Sequence, residues 1–288
     1  MSVFVRQNAI SMEYTKDSWA ILNPIEQSIK AKIEKYGTPL KDWDITINYG
    51  IKTGCNEAFI ISGEQRKKLI AEDPKSDEII RPILRGRDIK RYGYDFADLW
   101  LIATFPSKHY NIDNYPAVKK WLKSFGKKLE QTGEEYIDEF GKKTKCRKKT
   151  NNKWFETQDS IAYWNDFSKQ KIVWSDIATE PTFALVDAGI YFNNTCYMLC
   201  NAPEYILPIL NSPLIDWYFR KIATDLGGGS RYFKQFVEIL PILKIVNHQH
   251  IALLQDTDRN RQYEFISELY HLTAEEKSFI SENIHFQQ

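Results

Sequence analysis

Cysteine is scarce in this chain of 288 residues. The four present (Cys55, Cys146, Cys196 and Cys200) form no CxxC pair, and no histidine lies near enough in sequence to Cys196 and Cys200 to complete a zinc set. We read the thiols as reduced and structural, in a cytoplasmic protein. Long apolar runs are missing too. None reaches the ~18 residues of a membrane span, and the start, MSVFVRQNAISMEY, has no apolar core of the kind a signal peptide carries. Charge of one sign is not in excess. The formal net charge of +1 excludes a uniformly basic nucleic-acid binder but leaves room for a local basic face.

Aromatic residues, by contrast, make up 14% of the chain, enough both to build a core and to line a groove. Asn23-Pro24 reads as a helix start, Ile25, Ile29 and Ile33 as its stripe and Gly37 as its stop. From Trp43 the period becomes two, with Ile45, Ile47 and Tyr49 on one face of a strand. Ala58–Ile61 reads as the returning strand, Ser62 with Gln65 as a capping box and Ser76 as a further cap. Leu99–Ala103 reads as a strand. Tyr115-Pro116 opens a helix with the stripe Val118, Leu122, Phe125 and Leu129. Strands follow at Lys171–Trp174, Phe183–Val186 and Tyr191–Leu199. Helices fill 203–223, broken near Asn211-Ser212-Pro213, and Thr273 with Glu276 caps another. The expected layout is a helical connector over 1–43, a body over 44–245 and a helical segment over 246–288.

Four segments pair cations with glycines or rings. Residues 141–153, GKKTKCRKKTNNK, hold seven bases and no acid, and Trp154, Phe155, Tyr163, Trp164 and Phe167 follow. Phosphates attract cations and bases attract flat rings; a solvated loop beside a core aromatic cluster explains the same composition equally well. Tyr49-Gly50-Ile51-Lys52-Thr53-Gly54 puts Lys52-Thr53 before the second glycine, against the GxxxxGK[ST] order of a phosphate loop, and a plain hairpin turn is the alternative. Arg85, Arg87, Lys90 and Arg91 fall within seven residues, suited to a phosphate or a guanine edge, although Asp88 suits a structural ion pair with Arg85 or Arg91. Gly227-Gly228-Gly229-Ser230-Arg231 is either an anion-facing loop or a flexible link. No nucleophilic triad or Cys–His grouping stands out. Asp138-Glu139 with Lys142 is the one faint nuclease-like cluster, and chance explains it better.

Taken together, INYGIKTGCNEAFII (47–61), PILRGRDIKRY (82–92), WFETQDSIAYW (154–164), KIVWSDI (171–177), ILNSPLIDWYF (209–219), LGGGSRYFKQFVEILPI (226–242) and ELYHLTAEEKSFI (268–280) resemble, in order and spacing, the TaqI-like C-terminal specificity domain of type IIG restriction-modification enzymes and related adenine DNA methyltransferases. The resemblance implies an α+β domain with an irregular strand-rich body and a C-terminal helical hairpin. It implies recognition of double-stranded DNA beside a methyltransferase domain, of the same or a companion polypeptide, that uses S-adenosylmethionine, with magnesium added where a nuclease is present. The FxGxG-like and NPPY motifs of such a methyltransferase are missing here. The chain is therefore expected to be a fragment of a longer chain or a truncated or split reading frame, with no cofactor and no catalysis of its own. The residues expected to hold DNA are Lys52, Thr53, Arg85, Arg87, Lys148, Lys149 and Arg231, with Trp154 and Tyr163 as groove-lining or core rings. A separate specificity subunit, an unrecognised small nuclease and a protein-interaction module are the alternatives.

Overall fold

The computed structural model describes residues 22–223 and 230–284. Helices and short strands mix in an α+β fold, and the chain divides into two units. The first comprises Met1–Ile47, Asp176–Phe183 and Asn201–Gln288; the second comprises Asn48–Ser175 and Ala184–Cys200.

The first unit is mainly helical among its described residues. Helix Pro24–Tyr36 starts as its sequence requires: Asn23 accepts from the Glu26 N–H, and the Glu26 carboxylate accepts from the Asn23 N–H. Ile29 and Ile33 are buried, and Gly37 closes the helix with its N–H on the Ile33 carbonyl. Thr38–Pro39 then pairs antiparallel with Pro241–Ile242. The helix break expected near Asn211 is present. Asn211 uses both ends of its amide on the backbone of Phe183, and Ser212 caps the next helix, Pro213–Ile222. Helices Arg259–Leu269 and Ala274–Asn283 form the C-terminal hairpin and pack on Pro213–Ile222. Thr273 and Glu276 make the expected box, and the Glu276 carboxylate also accepts from Ser28 and Lys32 of the first helix. Ends of the chain far apart in sequence are thus tied through one buried acid.

The second unit holds two four-stranded sheets. One runs Ala184–Val186, Lys171–Ser175, Cys196–Cys200, Thr46–Tyr49, with the division between the units falling inside that last strand. The other runs Tyr191–Phe192, Ile80–Leu84, Leu99–Ile102, Ile60–Ser62, with its first pair parallel. Lys171–Ser175 is buried along its whole length. The Lys171 ammonium lies on three carbonyls (Phe167, Lys169 and Asp187), and burial brings its pKa down to about 8.

Several local expectations need correction. Residues 58 and 59 complete a helical turn, Asn56–Phe59, before the strand begins at Ile60, because the Ala58 and Phe59 N–H groups both donate to the Cys55 carbonyl. Ser76 caps nothing: it is buried inside a 3-10 turn capped by Asp73 and donates to the Asp73 carboxylate. The run Tyr191–Leu199 is not one strand. Asn193-Asn194-Thr195 interrupts it, and the two halves join different sheets. The basic run 141–153 is not a loose loop: Lys143–Lys145 pairs with Glu135–Ile137, and Cys146 and Arg147 are buried.

All four cysteines are free and buried. Among the described residues no helix is long and apolar enough to cross a membrane, and no group of three or more His, Cys, Asp or Glu could hold a metal ion.

A close backbone approach at Gly50 is one steric condition of this fold. A Cβ there would lie 1.9 Å from the Asn193 carbonyl oxygen. Gly50→Ala is expected to cost about 1–3 kcal/mol, the usual range for overpacking. Gly93→Ala, where an added Cβ meets nothing within 4 Å, is the control. Urea unfolding of both variants measures the difference, and equal midpoints would contradict the account.

Candidate nucleic-acid interface

The segment Gly50–Glu57 is built by internal bonds. The Thr53 hydroxyl accepts from the Cys55 N–H at 3.2 Å and donates to Asn56 Oδ1 at 2.7 Å. Thr53 is therefore 1% exposed and committed to its own turn, which removes it from the surface where a phosphate contact was expected. Gly54 has φ +78°, a left-handed value that favours glycine. Lys52, two residues before it, is exposed. The turn leans on Asn193–Thr195: the Ile51 N–H donates to the Phe192 carbonyl, and the Asn194 N–H donates to the Ile51 carbonyl.

Arg147 joins this turn to the rest. It is 4% exposed, and all five guanidinium N–H groups are used on carbonyls. Nε and Nη2 donate to Leu129 at 2.9 and 2.7 Å, Nη1 to Thr53 and Glu156 at 3.0 and 2.7 Å, and Nη2 again to Trp154 at 2.6 Å. The Phe59 ring lies 5.1 Å from its Cζ. Arg147 makes no ion pair among the described residues, and burial lowers its pKa to about 10. Gln158 adds a second tie. Its N–H donates to the Lys52 carbonyl and its amide to the Lys148 carbonyl. Lys52, Lys148 and the neighbouring Lys149 are thus gathered from separate segments, all three exposed and without an ion pair among the described residues.

Arg85 and Arg87 flank a 3-10 turn, Gly86–Asp88. Arg85 forms a two-bond pair with Asp88 at 2.8 and 2.7 Å, while the Arg85 N–H donates to the same carboxylate. Burial pushes the Asp88 carboxyl up, but these bonds outweigh it and hold the group below its ordinary value. Of the two arginines in this turn, Arg85 is thus tied down as the structural alternative foresaw, whereas Arg87 is exposed and its guanidinium has no bonded partner among the described residues. The Gly86 N–H donates to the Thr195 hydroxyl at 2.9 Å, so this turn leans on Asn193–Thr195 as well.

Trp154 and Tyr163 are half-buried and pack against the core. Trp154 meets Phe155 edge-on, and the Tyr163 hydroxyl donates to the Tyr49 carbonyl at 3.0 Å. Arg231 belongs to the other unit, where Ser230–Arg231 pairs with Ile177–Ala178 and the guanidinium lies 5.1 Å from the Phe233 ring. Gly227–Gly229 lies outside the described residues.

An open polar cleft of about 410 Å³ lies in the second unit, between the Lys52–Glu57 turn, Lys128, Lys145–Arg147 and Asn194. Neither Asn194 nor Lys145 was singled out in the sequence. The signal was there for the first, since Asn-Asn-Thr is a turn composition, but the apolar residues on both sides read as one strand.

A family model for the TaqI-like C-terminal specificity domain matches residues 81–242, and the chain belongs to that family. It is a specificity domain. Among solved structures the chain is similar to the type IIL restriction-modification enzyme MmeI in complex with DNA. The identity is 12% and the TM-score 0.57, over 85% of this chain and 36% of that one, a likeness of fold. The type IIG restriction endonuclease BpuSI matches at 12% identity and TM-score 0.49, over 86% of this chain and 28% of that one. The chain thus spans little more than a third of the MmeI chain and less than a third of the BpuSI chain.

The two arginines of the 85–88 turn are expected to separate cleanly. Arg85→Ala leaves the buried Asp88 without its cation and costs about 1.5–3 kcal/mol, the scale of hydrogen bonds to charged groups. Arg87→Ala leaves the melting point near that of the parent. Because the Asp88 pKa is depressed, its contribution is present above the ordinary aspartate value and is lost as pH falls through the lowered one. Thermal melts from neutral to acid pH check both points; the gap between parent and Arg85→Ala narrows at the acid end.

Proposed function

We propose that this chain selects the DNA sequence on which a restriction-modification enzyme acts, by binding duplex DNA while a methyltransferase domain, of the same or a companion polypeptide, performs the chemistry. The observation that carries the reading is the family match over 81–242. It takes in the Gly86–Asp88 turn, Arg147 with Lys148 and Lys149, and the Asn193–Thr195 turn. Exposed cations held on well-bonded turns suit DNA: the cation attracts phosphate, and the rigid turn keeps it in register with a groove.

On this reading Lys52, Lys148 and Lys149 meet phosphates, and Arg87 reads a base edge or a phosphate. Arg231 is a further expected DNA contact. Arg85, Thr53, Trp154 and Tyr163 support the surface from behind. S-adenosylmethionine, and magnesium where cleavage occurs, belong with the partner domain, in the cytoplasm where thiols remain reduced. The chain alone then transfers no methyl group and cuts no duplex.

Selection from a randomised duplex pool is expected to enrich a short motif. On that motif Lys148→Ala and Lys149→Ala should each lower the salt slope of binding by about 1 and weaken all sequences alike. Arg87→Ala, if it reads a guanine, should cost about 1–3 kcal/mol at one position and relax the choice there. Failure of the folded parent to retain any duplex at low salt, alone or with a methyltransferase domain restored, would overturn the proposal.

A further inference from the structure

The cleft beside Arg147 has a chemistry of its own. Among the described residues its lining carries four cations, Lys52, Lys128, Lys145 and Arg147, against a single acid, Glu57. Arg147 is a buried charge whose hydrogen bonds are complete but whose charge no carboxylate neutralises within ion-pairing distance among the described residues. Such a charge favours an anion in the nearest space that admits one. Glu57 does not fill that role, because its carboxylate is paired with Lys128.

Hydrogen-bond donors are left over on the same walls. Asn56 uses Oδ1 to accept from Thr53, which leaves its amide Nδ2 as a donor. Asn194 is exposed at the rim, and its side chain bonds to nothing among the described residues. Lys52 has no acidic partner there either. Lys145 meets Glu135 at 3.4 Å, but both groups are solvated, so this pair yields readily to a better anion.

We propose that this cleft binds one backbone phosphate of duplex DNA, held by Lys52, Lys145 and the side-chain amides of Asn56 and Asn194 over the buried Arg147. The proposal rests on the reading of the chain as a DNA specificity domain and adds the place where the backbone is anchored. Among the described residues no aromatic side chain lines the cleft, so a base entering it would have no ring of theirs to stack on. A phosphodiester, which needs cations and N–H donors only, fits the lining better than a mononucleotide. An anchor of this kind is blind to sequence and sets the register for neighbouring side chains that read bases.

The test uses the full chain, the Lys52→Ala/Lys145→Ala double variant and Asn194→Asp. Both lysines are exposed and Asn194 sits at the rim, so the melting points are expected to stay at the parent value. The double variant should bind the selected duplex and a scrambled one more weakly by the same factor, with a salt slope lower by about 1. Asn194→Asp should weaken both duplexes likewise. In proton–nitrogen spectra, duplex should move the amides of Gly54 and Asn194 in the parent and leave the Gly54 amide in place in the double variant. An unchanged salt slope and unchanged duplex affinity in folded variants, with Lys148→Ala still weakening binding, would overturn the cleft alone and leave the specificity reading intact. Absence of duplex binding by the parent would overturn both. Saturable shifts with inorganic phosphate or thymidine monophosphate, and none with duplex, would make the site one for small phosphates instead of DNA.

Discussion

Arg147 donates five hydrogen bonds to the carbonyls of four residues, and those residues lie in three separate segments without a strand ladder. Irregular backbone brings unpaired carbonyls with it, and burying them without donors costs about 1–3 kcal/mol each. A guanidinium is the one side chain with five N–H groups in a fixed plane, and here it takes the place of the strand partners these segments lack. Positions 53, 129, 154 and 156 are held at one point, and from that point the exposed lysines at 52, 148 and 149 take their places. The same choice leaves a buried positive charge beside an open cleft.

A second constraint acts at Asn193-Asn194-Thr195, where the chain leaves one sheet of the second unit and enters the other. Asn193 folds the turn on itself, accepting from the Thr195 N–H and hydroxyl. Its outer side then receives two more turns, one through Ile51 and one through Gly86. Glycine at 50 and 86 follows from this crowding, because a Cβ at either would run into the turn. Elements that look unrelated in sequence thereby share one support.

Signals confined to a few neighbouring residues were legible. The cap at Asn23, the box at Thr273, the helix break near Asn211 and the strand at Leu99–Ile102 all depend on partners within four positions or on a short apolar run. The spaced motifs that resemble the specificity domain were legible for a similar reason, since each keeps its own local chemistry. Less legible was the fate of particular polar side chains. Thr53 and Arg85 looked like surface donors and serve the interior, and Arg147 stood unremarked among seven bases. Nothing in the composition of GKKTKCRKKTNNK distinguishes the fourth cation from its neighbours, because the carbonyls that select it come from residues up to 94 positions away.

By itself, then, the sequence determined the element types near strong caps, the α+β class and the family of the chain, all of which follow from short-range patterns and their order. Tertiary structure decided which cations face outward and which are enclosed, and it placed Asn194 and Lys145 beside Lys52 in one cleft. The physical reason is that burial and hydrogen-bond satisfaction are properties of the assembled chain. A lysine or arginine becomes a surface ligand or an internal strut according to which backbone groups the fold leaves without partners around it.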